Sequence, residues 1–165
     1  MKNTIKVFVL VALTLAAMSV SAQVKLGHIE TQKLIQAMPE WTAAQKTFEE
    51  EQKKVNTELN SLREQFQTKL AEYSEKMKTY SEAMRATTEE ELQGLQQRIQ
   101  RFQETAMAQL EKTQNDLMQP VMEKALNAIK EVGKENGFTY IFDMNAGILY
   151  AAENSQDVLP LVKKK

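Results

Sequence analysis

Cysteine is absent from all 165 residues. That excludes disulfides, a thiolate nucleophile and any cysteine-held metal. Histidine occurs once, at His28, with no second ligand or nucleophile close to it in sequence; it reads as a structural histidine in a strand. Glycine and proline are scarce in the middle of the chain: between Glu40 and Val132 only Gly94 and Pro120 occur. A loop-rich architecture is excluded there. Also missing are a Gly-rich phosphate loop, His-Glu-x-x-His, a Cys pair and Gly-x-Ser-x-Gly. The chain therefore reads as non-enzymatic, with no cofactor, no metal and no ATP-driven cycle. The formal net charge of −1 leaves no electrostatic footprint for nucleic acid or anionic lipid. The only basic run, Lys163-Lys164-Lys165, reads as a solvated end.

The one long apolar run lies at the start. Met1 to Lys6 is a short basic segment, Val7 to Met18 is apolar, and Val20-Ser21-Ala22 places small residues before Gln23. This reads as a secretory signal peptide, residues 1–22, since the apolar stretch falls short of the ~20 residues of a membrane span. No cysteine follows the cut to carry a lipid. The expected location is the periplasm. The remainder, 23–165, has the size of one ordinary domain, and losing Lys2 and Lys6 takes its charge to −3.

Its dominant feature is a helical period. Trp41, Phe48, Val55 and Leu62 recur every seven residues, and Leu59, Phe66, Tyr73 and Tyr80 form a second line at the same interval. These are the a and d positions of a coiled-coil seam. Past Leu62 the first line meets Lys69 and resumes at Leu70, Met77 and Met84, a one-residue slip that relaxes the supercoil. The pattern breaks near Arg85-Ala86-Thr87-Thr88, where Thr88 and Glu91 suit a capping box. A return helix then carries Leu92, Leu95, Ile99, Phe102, Ala106, Leu110, Leu117, Val121, Ala125, Ile129 and Val132, and ends at Gly133 and Asn136-Gly137. Two helices of about 45 residues each, reaching about 65–70 Å, are expected. Pro120 lacks the N–H that would donate a hydrogen bond to the Asp116 carbonyl, so a kink is expected there. Glutamates alternate with lysines at i,i+4, as in Glu49 with Lys53 and Glu72 with Lys76, which describes a solvated face.

Strand signals sit at the two ends. Val24 to Glu30 reads as a strand followed by a short helix from Thr31. Phe138 to Asp143 and Ile148 to Ala151 flank Met144-Asn145-Ala146-Gly147, which suggests a hairpin. Asp157 suits the cap of a short helix from Val158 to Lys163, with Pro160 at its third position. The expected fold is mostly α with a small β body: a sheet from 23–39 and 137–165, and a long antiparallel helical hairpin over 40–136 projecting from it as an arm.

Val24-Lys25-Leu26-Gly27-His28-Ile29-Glu30, then Leu34-Ile35 and Met38-Pro39-Glu40, resemble the opening of the Skp-type (OmpH-like) periplasmic chaperones. Gly137-Phe138-Thr139-Tyr140-Ile141-Phe142-Asp143 and Asp157-Val158 resemble that family's later segments. The likeness runs through the whole of 23–165, and it lies in the order and spacing of soft apolar motifs. The resemblance implies a homotrimer whose β body carries three helical arms, enclosing a cavity that holds unfolded outer-membrane proteins without ATP. Better-known members are strongly basic. Here Glu40 to Asp116 holds fifteen acidic against eleven basic residues. Apolar contact is therefore expected to carry more of the affinity, and no basic cluster supports carrying over a lipopolysaccharide site.

On this reading Met77, Tyr80, Met84, Leu92, Leu95 and Met107 sit towards the arm tip. They either fill the seam between the helices or touch the client; methionine is the flexible, polarisable choice for the second role. Leu26, Ile29, Ile141, Phe142 and Leu149 are the oligomerisation candidates, since three short strands cannot cover their own apolar faces. A structural coiled-coil spacer or adaptor of the cell envelope is the alternative function.

Overall fold

The computed structural model describes residues 24–152 and 154–165; the expected signal peptide lies outside them. In chain order the elements are β1 (Leu26–Ile29), α1 (Thr31–Gln36), α2 (Pro39–Lys76), α3 (Glu82–Glu135), β2 (Tyr140–Asp143), β3 (Gln156–Asp157) and α4 (Leu159–Val162). They form two compact units. One joins Ile129–Lys165 to the described part of Met1–Glu30, and the other is Thr31–Ala128. No helix among the described residues is long and apolar enough to cross a membrane.

The larger unit is helical. Pro39 opens α2 at its first turn, where its missing amide would have had no partner anyway. Cross-helix pairs step inward from both directions: Glu40 with Lys124, Lys69 with Glu91, and Tyr73 with Glu89. The two long helices therefore run antiparallel. Their lengths are unequal, 38 and 54 residues, not about 45 each. The reversal also falls earlier than the sequence pattern suggested, over Met77–Ser81. Ser81 Oγ accepts the Met84 amide (3.2 Å), so Ser81 is the cap. Thr88 lies inside α3, its hydroxyl donating to the Met84 carbonyl (2.8 Å), and the expected Thr88–Glu91 capping box does not form. A serine followed at once by an acidic first turn, Glu82, was the stronger start signal.

Ala44 and Leu62 are buried on α2, and Leu92, Ala106, Val121 and Ala125 on α3. Trp41, Phe48, Val55, Leu59, Phe66 and Tyr73 are half-buried between them. The expected slip to Leu70 does not occur: Leu70 is exposed, while Lys69 keeps the half-buried position. Its aliphatic stem covers the seam and its ammonium pairs with Glu91, which gives a charged residue a place a leucine was expected to take. Pro120 sits within the unbroken span of α3.

In the smaller unit β1 is the central strand, in the order β2-β1-β3, and both pairings are parallel. The expected hairpin between Phe138–Asp143 and Ile148–Ala151 is absent. Tyr140–Asp143 pairs instead with β1 in the register Leu26 to Tyr140 and His28 to Phe142. The chain after β2 is turned away locally: Met144 N–H donates to the Ile29 carbonyl (2.8 Å) and Asn145 N–H to Asp143 Oδ1 (3.0 Å). These contacts hold the turn without sending a strand back.

One sheet face is packed. Ile29, Val132, Val158 and Val162 are almost fully enclosed. Gly27 is required here by proximity, since a Cβ on it would stand 2.8 Å from Phe138 Cε1 and 2.9 Å from Val158 Cγ1. The end of α3 is closed by Gly137 at φ +68°, with Phe138 N–H donating to the Gly133 carbonyl (2.9 Å), a Schellman arrangement. Lys25 reinforces it, donating to the Asn136 carbonyl (2.8 Å) while its ammonium lies 4.2 Å from the Phe138 ring centre. Asp157 belongs to β3 rather than capping from outside, yet its carboxylate accepts the Leu159 amide (2.9 Å) at the start of α4. Pro160 is the second residue of that helix, not the third.

Candidate functional site

The buried side chains among the described residues are all apolar, and no group of three or more His, Asp or Glu there is placed to hold a metal ion. His28 is hydrogen-bonded to Ser155 Oγ (2.8 Å), which fits the structural role expected of it. What the chain offers to the outside is apolar surface, in two places of different character.

The first is the second face of the sheet. In a strand, alternate side chains point to opposite faces. Leu26, Tyr140 and Phe142 therefore share the side away from the packed core, and all three are exposed. The Tyr140 and Phe142 rings stack at 6.1 Å. Leu149, at 99% exposed, and Tyr150 lie in the segment that follows β2. Of the oligomerisation candidates, Leu26, Phe142 and Leu149 are available to a partner. Ile141 is half-buried, with its Cδ1 3.3 Å from where a Cβ on Gly133 would stand. Ile29 is 1% exposed and belongs to the core of its own chain.

The second surface runs along the helical hairpin. Met77 and Met84 flank the reversal and are exposed, while Tyr80 is half-buried with its ring 6.4 Å from that of Tyr73. Leu92 is only 8% exposed and fills the seam. Leu95 is half-buried, lining a shallow hollow with Ser61, Gln65 and Lys69. Met107 is 74% exposed, the most open of the hairpin's large apolar residues. It is not at the tip. It stands midway along the pair, on the rim of a groove of about 670 Å³ shared with Val55 and Leu59 of α2. The sequence pattern registered Ala106 as one more seam position; that its small side chain borders an unfilled space was not readable from the period.

Polar ties flank that groove along the hairpin. Lys124 donates to Glu40 and holds its carboxyl below the usual carboxylate range. Towards the reversal, the hydrogen bond to Glu91 pushes the Lys69 ammonium up, and the Tyr73 phenol, donating to Glu89, is raised as well. Along α2, Lys76 lowers the Glu72 carboxyl through their 2.9 Å contact, one of the i,i+4 pairs expected from the sequence.

No curated protein sequence matches this chain significantly. Among solved structures, a candidate outer membrane chaperone (OmpH-like) from Caulobacter crescentus superposes with a TM-score of 0.76. It is 16% identical, and the match covers 86% of this chain and 82% of that one, so the likeness is one of fold. The sequence profile described as Outer membrane protein (OmpH-like) matches residues 25–165, nearly the whole described chain. This chain belongs to the OmpH-like family.

Proposed function

We propose that this protein is an ATP-independent holdase chaperone of the periplasm, which binds unfolded outer-membrane proteins and keeps them from aggregating. The observation that carries this reading is the pairing of two exposed apolar surfaces, one on a small parallel sheet and one on a long methionine-bearing hairpin. A surface presented by a sheet with fixed register suits one defined partner. A surface of separated, flexible methionines suits partners without fixed shape. The first is assigned to self-association and the second to the client.

The assembly is a homotrimer in which Leu26, Tyr140, Phe142 and Leu149 meet their copies, and the arms enclose a cavity for the client. The uncovered face supports association; the number three is what the resemblance to the Skp-type chaperones implies. Met77, Met84 and Met107 contact the client, while Leu92 acts within the seam. Location rests on the apolar segment and small-residue site of residues 1–22. An unfolded β-barrel protein presents alternating apolar residues, and many weak contacts hold it without a nucleotide-driven release.

The test is light scattering of a urea-diluted outer-membrane β-barrel with and without the purified protein. Suppression at stoichiometric amounts is expected. Unchanged aggregation overturns the holdase and favours the envelope spacer. Sedimentation at micromolar concentration is expected to show a single oligomer, and a monodisperse monomer would sink the assigned assembly.

A further inference from the structure

We propose that the mid-hairpin groove is a discrete binding site for a short, extended, uncharged apolar segment of an unfolded polypeptide. The inference rests on the holdase reading and specifies where and how the hairpin grips.

The groove opens beside one small side chain. Ala106 occupies a seam position that Leu92, Phe102 and Leu110 fill elsewhere on α3, and the space beside it is bordered by the half-buried Val55 and Leu59. The hairpin is tied on both sides of this stretch, by Glu40–Lys124 and by Lys69–Glu91 with Tyr73–Glu89. Those exposed ties lie on either side of the space and add to the register that the apolar seam sets. Its volume, about 670 Å³, falls within the ~300–1,000 Å³ range of pockets that engulf small organic ligands.

The lining selects the occupant. Its floor is apolar. Three amide side chains, Asn56, Gln100 and Gln103, stand around it, and Glu104 is its one charged group. Each amide offers both a donor and an acceptor, the complement of the unpaired N–H and C=O groups of an extended backbone. The neighbouring surface along α2, at Glu50, Lys53, Lys54 and Glu58, is by contrast densely charged. A neutral segment brings no charge to desolvate and can pair its backbone groups with the amides, whereas an acidic one meets Glu104 and leaves its own charge poorly solvated.

The amides favour an extended segment over a helical one, whose backbone groups are already paired, and the spacing admits it. Val55 and Leu59, like Ala106 and Leu110, are four residues apart on their helices, a rise of ~6 Å. A strand presents same-side residues every ~6.6 Å. The two repeats stay in step over two or three side chains. A strand of alternating apolar and polar residues can therefore set its apolar side chains into successive gaps while its backbone meets the amides. Met107, exposed on the rim, adapts to side chains of different shape.

The chain has no native cysteine, so Met107→Cys in the protein without residues 1–22 carries a single environment-sensitive fluorophore at the groove. Met122→Cys, also exposed and on the same helix, carries the control. The probe ligand is a short uncharged peptide of alternating leucine and threonine. Saturable emission change at position 107, little at 122, and roughly tenfold weaker peptide binding to Gln103→Glu with unchanged helical circular dichroism support the site. Equal affinity of Gln103→Glu, or equal responses at 107 and 122, overturn it. The scattering assay with the barrel protein runs in parallel. Wild-type suppression together with a groove indifferent to the peptide overturns the groove alone. Saturable peptide binding without suppression overturns the holdase reading alone.

Discussion

The sheet unit and the helical hairpin solve the same problem, burying apolar side chains, at opposite densities. In the sheet unit, strand, turn and terminal helix close on one another so tightly that Gly27 has no room for a methyl group beside Phe138 and Val158. In the hairpin each helix has one long-helix partner, and most seam residues stay half-buried. Ala106 borders open space, and a Cβ on Gly94 would touch nothing within 4 Å. Close packing fixes a shape that a partner can rely on. Loose packing leaves apolar groups reachable. In this reading the two units owe their different roles to that contrast.

The contrast can be broken most severely by removing the tight unit's last piece. Truncation after Ser155 deletes β3 and the buried Val158 and Val162. At about 1.5–3 kcal/mol per buried valine, a loss of about 3–6 kcal/mol is expected. Urea unfolding measures the loss and sedimentation the assembly; an unchanged midpoint would reduce the segment to a tail. Leu62→Ala, at the most enclosed large side chain of the hairpin, is expected to cost about 2–5 kcal/mol. A smaller cost would mean that the hairpin collapses around the vacancy, sharpening the view that its packing is soft. Gly27→Ala is expected to destabilise by about 1–3 kcal/mol through overpacking against Phe138 and Val158, read as a shift in thermal midpoint.

The same substitution at Gly94 is expected to have the opposite sign. Gly94 is a helical glycine with space around its Cα, so Gly94→Ala gains about 1 kcal/mol of helix propensity. Opposite signs for one chemical change are a direct measure of the difference between the units. The smallest effect is acid sensitivity of the hairpin. Lys124 lowers the folded Glu40 carboxyl below its ordinary 4.5, as Lys76 does for Glu72. A depressed carboxylate stabilises the fold fully above its unfolded value, and that contribution disappears as pH falls through the folded one. Urea titrations between pH 6 and pH 3 are expected to show this decline, and Glu40→Gln to flatten part of it. Added salt is expected to mute it, since these pairs are exposed.

The sequence was most legible where neighbours along the chain decide the outcome. The buried and half-buried positions from Leu92 to Val132 follow the expected return-helix line residue by residue, because a helix buries a stripe set by its own 3.6-residue period. The reversal was harder to place. Threonine and glutamate cap well in principle, but an N-cap works only where a helix begins, and Ser81 met that condition seven residues before Thr88. Lys69 defeated the apolar count in the opposite way, because a long basic side chain can cover a seam and still reach Glu91.

Of the candidate surfaces, Met77, Met84 and Phe142 are exposed although their types are apolar, whereas Leu92 and Ile29 turned inward as such side chains usually do. By itself the sequence determined the long helices, their antiparallel return and the terminal strands. All of these depend on local period, composition or motif. Only the tertiary structure decided that β2 lies parallel to β1 with no returning hairpin, that Gly27 is squeezed between Phe138 and Val158, and that a groove opens beside Ala106. Each of those depends on which distant segment comes to lie alongside, and a strand's preference for extended backbone does not name its partner.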